Sequence, residues 1–130
     1  MIRGTTDTFR FKFPCDCSEI KSVKIVLWQE GNMGPARNRP LPIVKTHSDC
    51  LFNNDNQEAH IVLSQEETLR FSDKRKGKIQ IRSQTHSGLC IGSKPTLFSV
   101  YPIYDDDIIG DIVLPTPGVE DLIILDGQYI

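Results

Sequence analysis

The stretch EAHIVLSQEETLRFSDKRKGKIQIRSQTHSG, Glu58 to Gly88, decides the fold class. In its first third Ala59, Ile61 and Leu63 fall on one face, with His60 and Val62 on the other. That is the period-two signature of a half-buried strand. Ser64 then stands three residues before Glu67. A Ser at this spacing accepts from the N3 amide while the Glu reaches back to the N-cap amide, which predicts a capped helical turn over 64–71. SDKRKG is polar and turns the chain. GKIQIRSQT alternates again, Ile79 and Ile81 against Gln80, Arg82 and Gln84, and HSG closes the segment as a tight turn. His60, opposite Ile61, reads as a surface strand residue.

The same period extends outward in both directions. Phe9, Phe11 and Phe13 alternate with Arg10 and Lys12 until Pro14. In KSVKIVLWQ, Val23, Ile25 and Leu27 share a face and Val26 and Trp28 the other, the pattern of a more central strand. Gly31 to Pro42 holds two Gly, three Pro and two Asn, a breaker density that makes it a loop carrying Arg37 and Arg39. LPIVKTH, DCLFNN and TLFSVYPI are further strand candidates, the last ending near Pro102. Strand, short helical turn, strand and tight turn in this order match the second half of an immunoglobulin-like sandwich. The fold expected is all-β: an immunoglobulin-like antiparallel β-sandwich of seven or eight strands, with one helical turn near 64–71.

At 130 residues, 38% hydrophobic and 25% charged, the chain fits a single soluble domain with a real core. The formal net charge of −2 argues against a general nucleic-acid binder. Charge is unevenly placed. Residues 1–104 hold all 15 basic residues and 10 acidic ones, a net of +5; residues 105–130 hold the other seven acids, a net of −7. No apolar run approaches the roughly 18 residues of a membrane helix. MIRGTTDTFRFKF has no continuous apolar stretch of the secretory kind. The expected organisation is therefore a sandwich domain over 1–104 and an acidic, aliphatic extension over 105–130.

That extension is too apolar for a disordered acidic tail. Asp105, Asp106, Asp107 and Asp111 precede Ile112, Val113 and Leu114; after PTPG come Leu122, Ile123, Ile124 and Leu125. DIVLP and DLIILD are short β-competent segments. Such a segment can close its own sandwich as final strands, or lie along the edge of a neighbour. Arg70, Lys74, Arg75, Lys76, Lys78 and Arg82 form the densest basic run. It lacks the interleaved aromatics of a nucleic-acid stacking platform. A solvated turn and strand face is the plain reading; a partner for acidic segments, including the extension of another copy, is the sharper one.

Chemistry-bearing patterns are sparse. Cys15 and Cys17 form CDC, not CxxC, and Cys50 and Cys90 stand alone. A zinc site from Cys15, Cys17, Cys50 and His47 lacks paired spacing, so the thiols read as small apolar residues. DDDIIGD imitates a calcium loop, but from Asp105 the fifth position is Ile109 and the twelfth is Thr116, where ligands are needed. No nucleophile elbow, zinc-protease helix, phosphate loop or dinucleotide fingerprint is present. The sequence points to no enzyme, no cofactor and no metal.

Arg3, Gly4, Thr5 and Thr6, followed by a Phe-rich strand, and Leu63, Ser64, Gln65, Glu66, Glu67 and Thr68 in mid-chain give the sequence a familiar outline. With the Leu125-Asp126-Gly127 turn near its end, it resembles a family of short proteins encoded in tailed phages and prophages of gut Firmicutes. Asp7 stands where that family usually has Pro; the Gly31–Pro42 loop and the 105–130 extension depart from its pattern. The resemblance implies a virion structural component, made in the bacterial cytoplasm and carried in the particle. It implies work by protein–protein assembly with other virion proteins or copies of itself, without nucleic acid or membrane, and brings no catalytic residues. The alternative is a host-surface glycan-binding module of a phage adhesion device, with Trp28, Tyr101, Tyr104 and Tyr129 as its aromatic candidates.

Overall fold

A computed structural model describes residues 1–30, 41–104 and 107–110, and the backbone of 121–124 and 128–129. Alternation of apolar and polar residues sets its strands. They are β1 (Asp7–Lys12), β2 (Ile20–Trp28), β3 (Ile43–Thr46), β4 (Leu51–Asn53), β5 (Glu58–Leu63), β6 (Gly77–Thr85), β7 (Cys90–Gly92) and β8 (Thr96–Phe98), with β9 (Asp121–Ile124) and β10 (Gln128–Tyr129) beyond. An α-helical turn, α1 (Gln65–Thr68), joins β5 to β6. Its Ser64 cap accepts from the Glu67 amide while the Glu67 carboxylate accepts from the Ser64 amide. The capping box legible in the sequence is therefore formed.

Two sheets face each other, one ordered β4-β5-β1-β9, the other β10-β7-β6-β2-β3. Strand β6 pairs with β7 through Arg82–Gln84 and with β8 through Gly77–Ile79. Ser93 lies between those two pairings. It donates its amide to the Ile81 carbonyl, and its hydroxyl accepts from the Ile81 amide. β7 and β8 thus behave as one bent strand. With β7/β8 as the last strand, β4-β5-β1 against β7-β6-β2-β3 is the immunoglobulin-like arrangement expected. The paired strands β1 to β8 are antiparallel to their described neighbours within 1–104. β9 instead runs parallel to β1, on the flank where the first strand of such sandwiches usually lies.

The core lies between the sheets. Phe11, Phe13, Ile25, Leu27, Ile61, Leu63, Phe71, Ile79 and Ile81 are fully buried there. Each contributes about 1.5–3 kcal/mol when taken wholly out of water. Phe98 meets Phe9 edge-on at 5.1 Å and Phe71 at 5.6 Å between ring centroids. Its ring rests on Gly77, where a Cβ would come within 2.2 Å of it. Only a residue without a side chain fits there.

Three features differ from the expectations. TLFSVYPI yields just the three-residue β8, because beyond it Tyr101 bridges to Ile2 of the N-terminal segment. CIG forms β7, a strand too short and too Gly-rich to show a period. Short 3-10 turns also form at Cys17–Glu19 and His47–Asp49, the second capped by Thr46 and Asp49.

Candidate functional site

Sheet edges are the first place to look for an assembly function, because an edge strand displays unpaired backbone groups. Here the extension covers one edge of each sheet. β9 pairs with β1 in the register Phe9↔Asp121, Arg10↔Leu122, Phe11↔Ile123 and Lys12↔Ile124. β10 pairs with β7 through Gln128↔Gly92 and Tyr129↔Ile91. Three of the assembly candidates, Leu122, Ile123 and Ile124, therefore sit in an edge strand. Asp105, Asp106, Asp111, Ile112, Val113, Leu114 and Leu125 lie outside the described residues.

Asp107 to Gly110 are exposed and lie beside α1. The Gln65 side chain holds them there: its amide donates to the Ile109 carbonyl, and its oxygen accepts from the Ile109 amide, both at 3.0 Å. Tyr104 and Ile109 are among the most exposed large side chains, Ile109 at 76%.

The basic run does not make one patch. Lys74, Arg75 and Lys76 are exposed in the turn after α1, and Arg70 is half-buried. Buried Gln29 fastens that turn: it donates to the Ser72 and Arg75 carbonyls and accepts from the Ser72 amide. Lys78, at the start of β6, forms an ion pair with Glu30, which holds the Glu30 carboxyl below its usual range. Arg82 is four residues further along β6, about 13 Å away at some 3.3 Å per residue.

Arg82 instead meets Lys24 of β2, directly across the strand pair. Both are exposed, and neither side chain has a hydrogen bond or ion pair with another described residue. Like charges set opposite one another on a sheet face are destabilising. The pair lies in an open concavity of about 940 Å³ on the outer face of β2, β3, β6 and β7. Ser22, Thr46, Ser48, Gln84 and Val44 also line it, and among the described residues no acid does. Val44 is 45% exposed, so an apolar step adjoins the cations. Beneath them Ser83 Oγ is buried without a hydrogen-bond partner among the described residues.

The thiols are not brought together as a metal site: no group of three or more candidate ligands occurs among the described residues. Cys17 and Cys50 are buried, Cys15 is half-buried and Cys90 is exposed, and all four are free. Burial is the leading cause that raises the thiol pKa of Cys15 and Cys17, and it pushes Cys50 up to about 12. Such thiols are poor nucleophiles at neutral pH. His47 packs on the Phe52 ring at 4.8 Å and His60 is half-buried on β5.

Among the glycan candidates Trp28 is half-buried at the end of β2, whereas Tyr101 and Tyr104 are exposed. Tyr129 lies in β10. No protein-family model matches the chain, and a search of the curated proteins gives no match.

Proposed function

We propose that the protein is a non-enzymatic structural component of a tailed-phage particle, working by assembly with other virion proteins and with copies of itself. The observation that carries this reading is the position of β9 and β10. They complete both sheets from outside the 1–104 domain, and a strand that adds to an edge within one chain can add to the same edge of a neighbour. The likeness of Arg3–Thr6 and Leu63–Thr68 to the phage family supplies the context.

Light scattering on the full chain and on Ile123→Pro tests it. A proline in the middle of this four-residue strand works against the extended pairing of β9. The measurement belongs at about 1 M salt, where the Debye length falls to about 3 Å and surface charge contacts are screened. A defined oligomer that dissociates in Ile123→Pro supports exchange of the extension. A monomer for both chains, with the variant merely less stable, means that the extension closes its own domain and removes this support. The second reading, a glycan-binding module, draws on exposed Tyr101 and Tyr104. It requires saturable binding to host cell-wall glycan that weakens when both are changed to Ala.

A further inference from the structure

The extension leaves the 1–104 domain through a series of fixed points. The Tyr101 amide donates to the Met1 carbonyl at 2.8 Å, and the Tyr101 carbonyl accepts from the Arg3 amide at 3.1 Å. Ile103 rests on Gly4, where a Cβ would come within 2.6 Å of its Cδ1. Ile109 is gripped last, through the paired bonds with the Gln65 side chain. Gln65 opens α1, and the Ser64–Glu67 box fixes the backbone from which it reaches. Directly after this grip comes Gly110 at φ +69°, in the left-handed region that suits glycine and strains other residues. A Cβ built on Gly110 meets nothing within 4 Å, so backbone conformation, not space, calls for glycine there. Ten residues, 111–120, join this turn to β9. That stretch spans up to about 36–40 Å when extended, a length that lets β9 meet β1 of its own domain or of a copy beside it.

We infer that Gln65 and Gly110 form a latch that sets whether the extension folds back along its own sheets or crosses to a second copy. The inference rests on the assembly reading and names its control point. An extension paired with its own β1 and β7 makes the same strand contacts as one paired with a neighbour's, so those contacts cancel in the comparison. What remains is the conformation of the connection and the concentration of copies. Small terms at the connection therefore decide the outcome. Each hydrogen bond between Gln65 and Ile109 shifts such an equilibrium by roughly two- to tenfold. The left-handed turn at Gly110 commits the chain to its present path. A residue that avoids positive φ favours the open path, and a β-branched one avoids it most strongly.

Sedimentation velocity across protein concentration, at about 1 M salt where surface charge contacts are screened, tests it on the full chain. Gly110→Val and Gln65→Ala should each raise the association constant, Gly110→Val by at least tenfold. Gly88 supplies the control: it sits at φ +91° in the β6–β7 turn, again with nothing within 4 Å of a built Cβ. Gly88→Val imposes the same backbone strain away from the extension and should leave association at the parent's level. Adding Ile123→Pro to Gly110→Val should abolish the gain, because the gained contact runs through β9. Melting temperatures show that the variants are folded, and Gly110→Ala serves as the milder change if Gly110→Val unfolds the chain. Association of Gly110→Val and Gln65→Ala at the parent's level, monomers throughout included, overturns the latch. So does a gain that survives Ile123→Pro or that Gly88→Val shares. A parent oligomer that dissociates in Ile123→Pro, with neither latch variant moving it, leaves strand exchange standing and removes the latch alone. A monomeric parent whose Gly110→Val variant associates through β9 supports a latch that is normally closed.

Discussion

Arg3 donates from Nε to the Phe71 carbonyl at 2.5 Å and from Nη2 to the Leu69 carbonyl at 3.2 Å. The side chain is 6% exposed. The segments Arg3–Thr6 and Leu63–Thr68 thus meet where the first ties down the exit of the second. The Gly4 amide also donates to Thr68 Oγ1, which itself donates to the Thr5 carbonyl. Together these bonds form a structural clasp between the N-terminal segment and the helical turn.

Arg3→Ala should therefore destabilise the fold by about 2–3 kcal/mol, since it removes charged hydrogen bonds and strands buried carbonyls. Arg3→Lys should recover only part of that, because an ammonium cannot reproduce the fork. Urea unfolding of the two variants reads the difference, and an Arg3→Ala midpoint equal to the parent's would exclude the clasp.

Ser64→Ala removes the cap that accepts from the Glu67 amide. A loss of about 1 kcal/mol is expected. Glu67 also pairs with Lys45 at 2.7 Å, so α1 is tied to β3 as well as to its own cap. Ser64→Asp should stay close to the parent, as Asp caps as well as Ser does. Thermal melts of the two variants separate a capping effect from a general sensitivity at this site.

Gly77→Ala drives a methyl group into the Phe98 ring. Overpacking of this kind costs about 1–3 kcal/mol. Phe98→Leu alone should also destabilise, by opening space beside Phe9 and Phe71. The double variant should lose less than the sum of the two, because the smaller side chain makes room for the methyl. A double-mutant cycle in denaturant measures that coupling. Additive losses would mean that the ring and the glycine do not share the space.

Much of this architecture is legible in the sequence, for a physical reason. β1, β2, β5 and β6 each bury one face, so Phe9 and Phe11, Ile25 and Leu27, Ile61 and Leu63, and Ile79 and Ile81 recur at period two. The Ser64–Glu67 box is local and reads equally well. β7 escapes because a bend at Ser93 cuts it off from β8, and its three residues are too few for a period, while only the first part of the TLFSVYPI candidate forms β8. The parallel pairing of β9 escapes because a four-residue aliphatic strand carries no sign of its partner. The cationic concavity is hidden for a related reason. Sequence neighbours drew Lys74 through Arg82 into one group, whereas register across β2 and β6 joins Arg82 to Lys24.

The buried thiols make stability depend on alkaline pH. Burial raises Cys50 from 9.0 to about 12, with the Asp49 charge a lesser cause, and burial raises Cys17 in the same direction. Above about pH 9 the unfolded chain releases these protons while the folded chain keeps them. The folded state then binds more protons, so stability falls as pH rises. The contribution is complete below pH 9 and is lost progressively as pH climbs toward 12. Cys50→Val removes the largest of these shifts, keeps an apolar side chain at the site, and should flatten the decline in melting temperature between pH 9 and 11. Thiol labelling at pH 8 provides a second reading. Exposed Cys90 should react at once, while Cys17 and Cys50 should wait for unfolding. Equal labelling rates for Cys50 and Cys90 in the folded protein would contradict the burial on which the pH dependence rests.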